Sequence, residues 1–136
     1  MQMDGMNVWA VMVAWLIFVI VGAFWYSPKG FGNAWTRLTG VDIMELPGDT
    51  ANKAIVYVIG ASAVQALVLG VALNSMDVGT ALEGLWAAGG LWTGFTAATT
   101  IGTTFYSGKG WQLWWLNASF FLVTMAAGGL LLGGWQ

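Results

Sequence analysis

Four threonines on one helical face are the residues whose type and spacing most directly suggest chemistry. Thr93, Thr96, Thr100 and Thr104 recur at steps of three and four, which at 3.6 residues per turn places their hydroxyls within roughly one 100° face, with Thr103 at its edge. Such a stripe in an apolar helix could line a polar path or orient a neutral ligand. Asn117 and Gln65 add two carboxamides to this candidate set, and Asn74 and Ser119 are further polar groups at or near the same depth. The competing explanation is structural. Threonine hydroxyls in lipid bond back to their own helix carbonyls, amides bridge neighbouring helices, and ion transport usually requires an intramembrane charge that accompanies none of these residues.

A second set is basic and aromatic. Lys29 follows Tyr26 and Ser27, and Lys109 follows Tyr106 and Ser107, so Lys29, Lys109, Tyr26 and Tyr106 could hold lipid headgroups, each basic residue contributing about 1 kcal/mol against anionic lipid. Lysines that set topology and snorkel to the interface would look the same. Gly90-x-x-x-Gly94 and Gly129-x-x-x-Gly133 are the candidate helix-packing motifs, because small residues let helices approach closely in lipid. Catalysis has little to draw on. The chain has no histidine and no cysteine, and its acids Asp4, Asp42, Glu45, Asp49, Asp77 and Glu83 lie in no recognised catalytic motif. Asp42 and Glu45 could share a cation, but solvation in a loop explains them better. No catalytic residue, metal site or cofactor is therefore expected, and the chain reads as a non-enzyme.

The elements that must position these groups follow from hydropathy. Of 136 residues 58% are hydrophobic and 7% charged, outside the range of a soluble domain. Between the charges lie four uncharged runs, 5–28, 54–76, 84–108 and 110–136, each longer than the roughly 20 residues a helix needs to cross about 30 Å of hydrocarbon. The expected fold is all-α, an integral membrane four-helix bundle forming a single transmembrane domain over 1–136. Its helices are placed at about 7–26, 52–73, 81–106 and 111–135. The first segment reads as a retained anchor, since its head lacks positive charge and it ends in Phe24-Trp25-Tyr26. Pro28 should stop helix 1. In the loop 27–51, Phe31, Trp35 and Leu38 beside Arg37 predict a short interfacial helix. Asp49 or Thr50 should cap helix 2, and Thr80-x-x-Glu83 reads as a capping box for helix 3.

All four basic residues fall in two loops, Lys29, Arg37 and Lys53 in one and Lys109 in the other. The positive-inside rule then puts both loops in the cytoplasm and both termini outside, in a cell (inner) membrane, with dual insertion left open by so small a count. A formal charge of −2 without a basic patch predicts no nucleic-acid partner. Of the ten tryptophans, most are placed as interfacial belt anchors, with Trp15 and Trp92 deeper. Residues 22–35 align without gaps on 102–115, with six of fourteen positions identical. This internal repeat predicts two parallel helical hairpins related by a pseudo-twofold axis, against the alternative that any inner interface favours aromatics followed by lysine.

The run Trp25-Tyr26-Ser27-Pro28 with Phe31-Gly32-Asn33-Ala34-Trp35 resembles the signature of the domain of unknown function 1761 family of small bacterial membrane proteins. Leu91-Trp92-Thr93-Gly94-Phe95, Thr99-Thr100 and Leu116-Asn117-Ala118 resemble its second half, so the likeness covers nearly the whole chain. The resemblance implies four helices and supplies no reaction. The leading expectation is a multi-pass protein acting through helix packing in the lipid bilayer, as a homo-oligomer or with another membrane protein. The alternative is a small carrier, channel or lipid-binding protein for a neutral or lipid-like molecule.

Overall fold

A computed structural model describes residues 5–135, all of whose regular structure is helical; Asp4 lies outside the described residues. Helix α1 (Val8–Trp25) starts where the Asn7 side chain accepts the Ala10 N–H at 3.2 Å, and ends three residues before Pro28. Helix α2 (Gly32–Thr39) is the short element expected in the loop and stops at Gly40, whose φ of 78° is the left-handed conformation glycine adopts without penalty. Helix α3 (Gly48–Ser75) begins directly after Pro47 with no side-chain cap. Asp49 sits inside its first turn, so the expected cap is corrected: proline already fixes the entry dihedral, and Asp49 pairs with Lys53 at 3.3 Å on the exposed surface. Helix α6 (Trp111–Gly134) is the last element, and α1, α3 and α6 are long and apolar enough to cross a membrane.

The expected helix 81–106 is present as a continuous rod with one widened turn. Helix α4 (Ala81–Trp92) opens with Thr80 Oγ1 accepting the Glu83 N–H, while the Glu83 carboxylate accepts from Gly79 rather than from Thr80, a capping box shifted by one residue. A π-helical turn, Thr93–Ala97, follows, in which Ala98 N–H bonds to the Thr93 carbonyl five residues back; helix α5 (Ala98–Tyr106) continues from it. Dihedrals at Thr93 and Ala98 remain right-handed helical, so the rod is not broken.

α6 is the hub, meeting α1, α2, α3, α4 and α5. Its closest approach is to α4. A Cβ on Gly84 would collide with the Gly129 carbonyl, and one on Gly133 with the Thr80 carbonyl, so backbone packs on backbone. Ala10, Ala14 and Phe18 of α1, Ala66, Leu69 and Leu73 of α3, Ala88 of α4 and Leu132 of α6 complete the buried cluster. Ala97, Trp114 and Ala118 form a second, smaller one. On α3 the fully buried residues run only from Ala66 to Leu73, while Ile55, Val56, Tyr57 and Val58 are exposed. The first turns of α3, up to Val58, therefore stand away from the other helices, and Trp15 of α1 meets the chain at the next residue, Ile59. The two hairpins are not packed alike, since α1 lies along α6 whereas α4 meets α3 only sparsely.

The turn after α1 explains its sequence. Phe31 N–H reaches the Trp25 carbonyl at 2.6 Å, and the Gly30 and Gly32 N–H groups both reach the Ser27 carbonyl. A Cβ on Gly30 or Gly32 would strike the carbonyls of Phe24 or Tyr26, so only glycine lets the chain fold back this tightly over the helix end.

Candidate functional site

Where α3 stands off, a cleft of about 880 Å³ opens between α1, α3, the π-helical turn and α6. Phe18, Val19 and Gly22 of α1, Val68 and Leu69 of α3, Leu91 of α4 and Phe120, Phe121 and Met125 of α6 make its walls apolar. Four neutral polar side chains reach it: Tyr26, Ser62, Gln65 and Thr96. Among the described residues no Lys, Arg, Asp or Glu is in the lining, so these side chains can hydrogen-bond a ligand but offer it no fixed charge.

Two of these polar groups, Tyr26 and Gln65, are held by bonds to α6. The Tyr26 hydroxyl donates to Asn117 Oδ1 at 2.8 Å, and its ring meets Phe120 edge-on at 5.4 Å and Trp35 at 6.3 Å. Gln65 Nε2 donates to Thr124 Oγ1 at 3.3 Å, and the fully buried Thr124 donates in turn to the Phe121 carbonyl. Among the described residues the Gln65 carbonyl oxygen and the Ser62 and Thr96 hydroxyls take no side-chain partner. Thr96 reaches the cleft on the π-helical turn, whose extra residue per turn re-aims side chains relative to an α-helix. Phe95 beside it is 77% exposed.

The threonine stripe divides. Thr93, Thr100 and Thr104 each donate to the carbonyl four residues back, at 2.8, 2.6 and 2.9 Å, and none lines the cleft. Asn117 lies behind Tyr26 rather than in the lining, and Gln65 and Thr96 face the cleft as members of one site. Of the expected headgroup residues, Lys29 is exposed, Lys109 half-buried, and Tyr106 is 96% exposed, whereas Tyr26 is turned inward. In the aligned stretch, Ser27 Oγ and Ser107 Oγ both donate to the carbonyl three residues back. The surroundings of its two tyrosines nevertheless differ. Gly129 and Gly133 pack against α4; Gly90 and Gly94 face open space.

Sequence reasoning missed Ser62, Phe120 and Phe121, because an isolated serine and two phenylalanines in apolar helices carry no pattern that separates them from lipid-facing residues. It also missed a role for tryptophan. Trp15, Trp25, Trp92 and Trp114 donate their indole N–H to the carbonyls of Ile59, Leu116, Ala118 and Ala97 on neighbouring elements, at 3.0, 3.1, 2.9 and 3.2 Å. These four pin helix to helix, and burial without such a partner would be unfavourable for the indole donor.

Together these features define an all-α protein with membrane-length helices gathered on α6 and a neutral, lateral, apolar cleft. The sequence profile described as Protein of unknown function (DUF1761) matches residues 9–133, and the chain belongs to that family. Neither the curated proteins nor the solved structures gave a match.

Proposed function

We propose that this protein is a four-helix protein of the cell (inner) membrane that binds a neutral, elongated, apolar molecule bearing one hydrogen-bonding end, and that it acts by binding or carrying rather than by catalysis. In this reading the rod 81–106 crosses the bilayer alongside α1, α3 and α6, and the two basic loops face the cytoplasm. The cleft carries the proposal: about 880 Å³ of space with apolar walls and, among the described residues, Tyr26, Ser62, Gln65 and Thr96 to make hydrogen bonds. A lateral opening beside the exposed first turns of α3 suits entry from the lipid phase.

Photolabelling in reconstituted membranes with a long-chain alcohol carrying a diazirine tests this reading. Crosslinks should concentrate at Ser62, Gln65, Phe95 and Thr96, and Ser62→Leu, which fills the cleft, should remove them. Labelling spread evenly over lipid-facing positions and unaffected by Ser62→Leu would refute it.

A second reading, assembly with another copy or another membrane protein, is favoured by one observation: the Cα faces of Gly90 and Gly94 meet nothing within the chain. Because the chain has no cysteine, a single Gly90→Cys variant reports directly on such a contact. Disulfide-linked dimers in native membranes, lost on adding Gly94→Leu, would support assembly through this face; a monomer throughout would exclude it.

A further inference from the structure

A trough of about 510 Å³, separate from the cleft, lies between α2 and the first turns of α6. One wall is the face of α2 bearing Phe31 and Leu38. The other is the face of α6 on which Trp111, Trp115 and Ser119 recur every four residues, running about 12 Å along the helix at 1.5 Å per residue. Phe31, Trp111 and Trp115 are 46%, 54% and 55% exposed, so about half of each residue's surface is left uncovered by the chain itself. Trp25 lines the same trough; its N–H is taken by the Leu116 carbonyl, leaving its ring as the contact surface.

Arg37, in the last turn of α2, is the charged residue in this lining among the described residues, none of whose carboxylates shares it. Among the described residues the ion pair is Lys53 with Asp49, so the Arg37 guanidinium has no acidic partner. A guanidinium fork takes a phosphate through two parallel hydrogen bonds, and an amphipathic helix at the interface holds that phosphate at headgroup depth. The aromatic groove then continues along α6 in the direction an acyl chain takes.

We propose that this trough binds one anionic phospholipid, its phosphate on Arg37 and one acyl chain against Phe31, Trp111 and Trp115. The inference rests on α6 crossing the bilayer and not on the identity of the molecule in the cleft.

The full chain in nanodiscs of phosphatidylcholine with a minor fraction of phosphatidylglycerol, probed with spin-labelled versions of each lipid, tests it. Wild type should immobilise phosphatidylglycerol over phosphatidylcholine, and Arg37→Gln, at an exposed position, should weaken that preference about fivefold. Lys29→Gln, with the same change of charge, should leave it intact, as should Ser62→Leu in the other cleft. An unaltered preference in Arg37→Gln, or an equal loss in Lys29→Gln, would overturn the proposal in favour of diffuse surface charge. Loss in Ser62→Leu would overturn it by placing the lipid in the cleft. Displacement of the labelled lipid by millimolar inorganic phosphate would show an anion site without a lipid chain and overturn it as well.

Discussion

The Tyr26 hydroxyl donates to Asn117 Oδ1 at 2.8 Å, joining residues 91 apart at the end of α1 and on α6. Phe120, one turn further along α6, packs its ring against Tyr26, and Gly22 faces the same ring at a distance where a Cβ would make ordinary contact. A phenol and a phenyl ring thus stand side by side in the cleft wall, with the Asn117 amide holding the phenol from behind.

Removing that hydroxyl should loosen the contact without emptying the site. Tyr26→Phe is expected to destabilise the protein by about 0.6 kcal/mol and by no more than ~1.7 kcal/mol, the range for interhelical hydrogen bonds in membranes. A double-mutant cycle with Asn117→Ala in thermal or denaturant unfolding should return a coupling of that size; additive effects would mean that the bond contributes nothing.

Glycines at the same spacing should behave differently. Gly84→Ala and Gly129→Ala force a Cβ into a facing backbone carbonyl and should cost on the order of 1–3 kcal/mol or more. Gly90→Ala, whose Cβ would meet open space, should be neutral or slightly stabilising, since alanine is the better helix former. Melting temperatures of the three variants in one detergent check the order.

Trp114→Phe removes the donor shared by the Ala97 carbonyl and Thr100 Oγ1, both at 3.2 Å. The expected loss is about 1 kcal/mol, accompanied by faster amide exchange confined to the π-helical turn and α5. Exchange that rises evenly over all helices would place the effect elsewhere.

Within the threonine stripe only one hydroxyl faces the cleft. Thr96→Val should weaken capture of an alcohol-ended probe several-fold, of the order of one hydrogen bond, while Thr93→Val and Thr104→Val, which lose only bonds to their own helix, should leave capture unchanged. Equal losses in all three would argue for a continuous polar path along the stripe.

Much of this architecture was legible from local properties. Apolar length and charge placement mark where helices run, and the bounds Val8–Trp25 and Trp111–Gly134 fall within a residue or so of expectation. Thr80 and Glu83 at the start of α4 act through neighbours a few residues away, so their spacing already announces them. Gln65, Thr96 and Tyr26 could be named as candidates because polar groups are rare in such runs.

What joins them could not be read the same way. Gly90-x-x-x-Gly94 and Gly129-x-x-x-Gly133 are identical as patterns, yet one faces open space and the other lies on α4, since the pattern records a helix face and not what that face meets. The π-helical turn that brings Thr96 to the cleft has no marker distinguishing it from the α-helix on either side. By itself the sequence determined which segments are helical and how far each could reach, because hydropathy and helical period are properties of a single segment. Only the tertiary structure decided that α3 stands off, that Tyr26 finds Asn117 and that a neutral cleft opens between them, because those are contacts between segments whose partners sequence spacing does not encode.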